Sequence, residues 1–131
     1  MMDDMRKAEL DRAIAGHAMV GQYLLSETEE LRVWRIELKP GERVGYHTHV
    51  LNYFWTATSA GKSRSHYSDG RVAESVYEVG TTKHYRFGPG ENMVHDLENI
   101  GDTVLSFTTV ELKLGSANKP LPLAMAPLNT W

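Results

Sequence analysis

The chain has 131 residues, 41% of them hydrophobic and 24% charged, which is the make-up of one globular domain with enough length to bury a core. Fourteen Lys and Arg against 17 Asp and Glu leave a formal charge of -3, so the basic patch of a nucleic-acid partner is not expected. The absence of cysteine excludes disulfides, thiolate zinc sites and thiol nucleophiles. With no signal-like start and no run of 18 apolar residues, the reading is a cytoplasmic protein without a membrane partner.

Residues 1–20 are expected to form a helical arm. Asp3 and Asp4 stand where a helix start favours acids, and Met5, Leu10, Ala13 and Ile14 make a loose apolar stripe that Gly16 can end. Residues 21–115 read as strands. Arg32 to Lys39 alternates, with Trp34, Ile36 and Leu38 on one face and Arg35, Glu37 and Lys39 on the other. Pro40-Gly41-Glu42 turns the chain into a strand region from Gly45 to Thr58, whose part from Leu51 to Trp55 is apolar enough for burial on both faces.

Asp69-Gly70 between strand-like runs signals a hairpin, because its turn needs positive φ. Short strands at 76–79, 83–87 and 93–97 follow, and 103–112 is the last long one. Short strands with turn signals about every ten residues predict an all-β sandwich or jelly-roll barrel. Residues 116–131 read as a surface tail that Trp131 could anchor. Exposed sheet edges in so small a barrel predict a homodimer.

The chemistry concentrates at Gly45-Tyr46-His47-Thr48-His49. Residues two apart on a strand share a face, so His47 and His49 converge; His95 from a distant strand would complete three nitrogen ligands around a divalent transition metal, with positions left open for a ligand. Iron, zinc, nickel and manganese all suit such a set. Tyr53 shares the parity of the two histidines and could orient a substrate or move a proton, as could His66. Asn52 is the nearest side chain with an oxygen able to reach a metal. Three neutral imidazoles leave a divalent ion its full charge, which favours a small anionic, chelating substrate.

Residues 30–113 resemble a small single-domain cupin, a double-stranded β-helix barrel with a metal in its mouth. Gly41 to His49 matches the first half of the Gly-x5-His-x-His motif, and His95-Asp96-Leu97-Glu98-Asn99 matches the end of the second. Glu29 to Val33, Pro40-Gly41-Glu42 and Val110 to Lys113 are similar to the β-alanine degradation group. Two departures stand out. The motif glutamate falls where the chain has Tyr53 and Phe54, and the second motif's Pro and Gly align with Gly90 and Asn92. The resemblance implies a metal-dependent enzyme, with three-histidine dioxygenase chemistry preferred over lyase or isomerase chemistry. The missing glutamate raises the alternative of a non-catalytic small-molecule-binding or sensing barrel with a degenerate metal site.

Overall fold

In the computed structural model, residues 2–123 and 126–129 are described. Among them the chain forms a helix at Asp4–Ile14 (α1) and strands at Tyr23–Glu27 (β1), Leu31–Leu38 (β2), Arg43–His49 (β3), Asn52–Ala57 (β4), Gly61–His66 (β5), Val72–Tyr77 (β6), Thr82–Tyr85 (β7), Met93–Asn99 (β8) and Leu105–Leu112 (β9). The strands make two antiparallel sheets, one ordered β1-β2-β9-β4-β7 and the other β3-β8-β5-β6. Each sheet turns one face inward. Ile36, Leu38, Val44, Leu105 and Phe107 fill one part of the interior, and Val20, Leu24 and Trp34 fill another. Among the described residues, no helix is long and apolar enough to cross a membrane.

The alternation expected from Arg32 to Lys39 holds in β2: Trp34, Ile36 and Leu38 are buried while Arg35 and Glu37 are exposed. The Asp-Gly hairpin is also present. It joins β5 to β6 with Gly70 at φ 92°, a conformation costly for any residue with a Cβ. The expected strand region from Gly45 to Thr58 divides in two. The chain crosses from one sheet to the other at 50–51, a corner that carries no Gly, Pro or Asp to announce it. In β4 only Tyr53 and Ala57 are buried; Phe54, Trp55 and Thr56 are half-buried, so this segment is not covered on both faces.

α1 is capped by Asp3, whose Oδ1 accepts the Arg6 N–H at 2.8 Å. The helix buries a narrower stripe than expected. Ala13 and Leu10 pack on Tyr46 and Val94 against the outer face of β3, whereas Met5 and Ile14 are left 85% and 57% exposed. The tail covers a second edge. Leu123 packs beside Trp34, the Leu121 carbonyl accepts from Arg32, and the Leu128 and Asn129 N–H groups donate to the carbonyls of Leu24 and Leu25 on β1. The expected anchor, Trp131, lies outside the described residues.

β3 contains an irregularity on which the interior depends. It pairs with β8 as Val44↔Leu97 and then His47↔His95; Gly45 and Tyr46 have no partner in the register. This is a β-bulge, and it inverts the alternation. Val44 packs in the barrel core and Tyr46 packs under the helix, although the two share parity. Beyond the bulge, His47 and His49 therefore turn inward. Glu9 of α1 occupies the bulge from outside: its Oε1 accepts the Tyr46 N–H at 2.9 Å, and both its oxygens accept from Arg43. A Cβ at position 45 would collide with that carboxylate. Gly45→Ala is expected to push Glu9 off the Tyr46 N–H and to lower stability by about 1–3 kcal/mol, the usual penalty of an orphaned donor. Urea unfolding measures it, and an unchanged midpoint would show that Glu9 does not sit in the bulge.

Candidate metal centre and cavity

His47 and His49 at the end of β3 and His95 on β8 meet inside the barrel, with one ligating nitrogen from each lying within 4.8 Å of the others. The Nε2 atoms of His49 and His95 are 3.1 Å apart. His47 Nδ1 donates to the Gly45 carbonyl at 2.7 Å, which ties the ring to the bulge and leaves its Nε2 lone pair unused. Burial lowers His47 to about 4 and holds His49 and His95 well below the ordinary histidine value, with the neighbouring rings adding to it. All three are neutral imidazoles at neutral pH.

The donor set fits a divalent transition metal. The three lone pairs converge, they need no deprotonation, and 3.1 Å is a separation that two nitrogens about 2.1 Å from a shared ion can have. The Nδ1 atoms of His49 and His95 are buried without a hydrogen-bond partner among the described residues. Ligation through Nε2 would fix the proton on these Nδ1 atoms, making each a donor whose acceptor is not among the described residues.

Tyr53 comes to the trio from the other sheet. Its ring stacks on His49 at 4.1 Å and 11° and on Tyr85, its cross-strand partner, at 4.6 Å and 5°. Burial pushes its phenol well above the ordinary value, and the nearby Tyr85, Tyr67 and Glu111 push the same way. It is a neutral O–H at any working pH. The rings of Tyr53, Tyr67, Tyr85, Trp55 and Tyr77 wall a cavity of about 250 Å³ that reaches the three histidines. Among the described residues no carboxylate lines this cavity.

Two expected site residues stand elsewhere. Asn52 Oδ1 accepts the Phe87 N–H at 2.9 Å and its amide donates toward the Gly115 carbonyl, so it ties loops together away from the trio. His66 is off the cavity wall because β5 alternates: Ser65 lines the cavity and His66 takes the opposite side. There its Nδ1 lies 3.1 Å from the fully buried Asp96, which also accepts the His66 N–H and the Arg43 guanidinium. Asp96 and Glu9 thus clamp Arg43 behind the histidine-bearing strand. Asn99, which ends the second motif, bonds the carbonyls of Leu38 and Thr103 and the N–H of Gly101, holding the β8–β9 turn.

Three residues were not singled out beforehand. Tyr67 sits 5.3 Å from His95 and bridges it in the sheet, and Tyr85 extends the ring stack. Strand parity could have found Tyr67, since it follows the outward His66. Glu111, the acid of the Val110 to Lys113 run, is buried with Tyr53 as its cross-strand partner, and its Oε1 accepts from Trp34 Nε1 at 2.7 Å.

The solved structures point to one architecture. A cupin domain from Bordetella pertussis superimposes with a TM-score of 0.60 at 22% identity, over 69% of this chain and 88% of that one. The fold is the cupin double-stranded β-helix. A cupin family protein from Methanocaldococcus jannaschii matches with a TM-score of 0.56 at 21% identity, over 69% and 76% of the two chains. A protein with a double-stranded β-helix domain from Klebsiella pneumoniae matches with a TM-score of 0.55 at 24% identity, over 77% and 75%. No protein-family model matches the sequence, and no curated protein matches it. At these identities the likeness concerns the cupin fold, and the narrower resemblance to the β-alanine degradation group gains nothing from it.

Glu111 has a measurable consequence. Burial raises it to about 7, against the lowering pull of Trp34 and Arg32. The native carboxyl then keeps its proton up to about pH 7, while the unfolded chain releases it near 4.5. Unfolding releases a proton between those values, so this group makes stability fall as pH rises from about 4.5 to about 7, by on the order of 3 kcal/mol, with no further change above. Glu111→Gln keeps an acceptor for Trp34 and is expected to remove that part of the slope. Urea unfolding at pH 5 and pH 8 reads it, and identical pH profiles for the two proteins would refute it.

Proposed function

We propose that this barrel is a metal-dependent enzyme acting on a small anionic substrate, with oxygenase chemistry preferred. The observation that carries the proposal is the convergence of three neutral imidazoles, His47 and His49 buried and His95 half-buried, on a cavity whose described lining holds no carboxylate. His47, His49 and His95 would hold the ion through nitrogen. A divalent ion there supplies Lewis acidity and, if it is iron, the capacity to activate oxygen.

The chain's own contribution is positioning and exclusion of water. The Gly45 carbonyl fixes the His47 ring, and Tyr53 fixes the His49 ring by stacking on it. The aromatic walls displace water from around the trio, which would strengthen electrostatic contacts there. Because a neutral trio leaves the ion's charge uncompensated, an anionic substrate supplies what a glutamate ligand would have supplied. Tyr53 stacks on His49 and has a phenol proton to donate, whereas His66 is kept from that role by its pairing with Asp96.

A second reading, a small-molecule-binding or sensing barrel, is favoured by one observation. Burial pushes the Tyr53 phenol well above its ordinary value, which suits it poorly to give up its proton. A ligand-induced rise in melting temperature that survives EDTA would support that reading. The expected homodimer is retained because β6 is a sheet edge with Val72 and Val76 57% and 74% exposed.

Elemental analysis of protein purified without chelator tests the leading reading. Wild type is expected to carry close to one equivalent of a transition metal, and the folded His47→Ala/His49→Ala variant none. Two empty proteins that bind no added iron, zinc, nickel or manganese would refute the enzyme reading in favour of the sensor.

A further inference from the structure

The cavity also carries information about what enters it. Its walls are rings contributed by both sheets: Tyr53, Trp55 and Tyr85 from β4 and β7, and Tyr77 from β6 with Tyr67 just past β5. Trp55, Tyr77 and Phe107 pack edge-to-face at 4.9 to 5.3 Å and close one part of the space. A volume of about 250 Å³ falls below the roughly 300–1,000 Å³ of drug-sized sites. That is room for one ring with a short substituent, between surfaces that favour a flat apolar body.

Among the described lining residues other than the histidines, one side chain can carry charge of either sign at neutral pH, and it is a lysine. Lys83 lies on β7, opposite Trp55 in the register and on the cavity side of the strand, where it is exposed at the cavity's edge with its Nζ 5.1 Å over the Tyr85 ring. That ring stacks on Tyr53, and Tyr53 stacks on His49, so the ammonium stands at the end of a run of stacked rings that begins at the trio. Within the described residues Lys83 makes no ion pair. An inward-pointing charge on a sheet edge can also act as a guard against edge-to-edge pairing. A guard needs no aromatic lining behind it.

We infer that the site takes a flat, conjugated carboxylic acid, with its body between the tyrosines of the two sheets and an acidic group selected by Lys83. This rests on the reading that the cavity receives a small anion; it narrows that anion to aromatic or similarly planar acids and makes Lys83, rather than the trio, the charge that selects a lone carboxylate.

The full chain as purified, and again after EDTA, is titrated by calorimetry with benzoate, with benzamide as its neutral counterpart, and with cyclohexanecarboxylate as its non-planar one. Wild type is expected to bind benzoate at least tenfold more tightly than either. Lys83→Glu is expected to weaken benzoate at least tenfold and to leave benzamide unchanged. Lys83→Glu keeps an inward charge on the edge, so a pure guard predicts wild-type affinity for benzoate. That result would overturn the inference, as would no benzoate binding to wild type at millimolar concentration, or an equal loss for benzoate and benzamide. Metal content is read separately. An empty trio with the Lys83 contrast intact removes the enzyme reading alone, and a filled trio without the contrast removes the substrate class alone.

Discussion

The interior of this barrel depends on the contact between one helix carboxylate and one strand bulge. Glu9 bonds the Tyr46 N–H and the Arg43 guanidinium, and it fits only because position 45 has no side chain. On the far side of the same bulge, the Gly45 carbonyl accepts from His47. One short segment therefore sets the helix against the barrel and the histidines into it. Without the inversion at the bulge, the parity that puts Val44 in the core would put His47 and His49 under the helix.

The polar groups around that segment divide cleanly between the two faces of the sheet. Behind β3 and β8 lie the charges: Arg43 between Glu9 and Asp96, with His66 on the remaining side of Asp96. In front, at the trio, lie neutral groups, three imidazoles and the Tyr53 phenol, where burial disfavours charge, while the cavity's one charged described lining residue, Lys83, stands exposed on β7. Charge behind the sheet is paired and hydrogen-bonded, which is how a carboxylate as buried as Asp96 is tolerated. A neutral front is what an incoming cation or anion would meet with least competition.

The sheet edges are handled unequally. Residues 128 and 129 bond along β1, and Glu9 and the His17 carbonyl take N–H groups of β3. β6 and β7, the other two edges, stay open beside the cavity, and β7 carries Lys83 inward.

Much of the architecture could be read from residue order alone. Alternation through Trp34, Ile36 and Leu38, the Asp69-Gly70 turn and the spacing of short strands all follow from interactions between near neighbours, so the β-class, the hairpin and the partnership of His47 with His49 were legible. What needed the tertiary structure was every matter of facing. Parity says that two residues share a side but not which side is inward, and the bulge decided that. The corner at 50–51 brought Tyr53 to His49 from a different sheet, where a single continuous strand had been expected. Asn52 and His66 went elsewhere because backbone N–H groups and a buried aspartate compete for them, and such partners lie 30 or more positions away in the chain. Local chemistry chose the ligands, and long-range packing chose their direction.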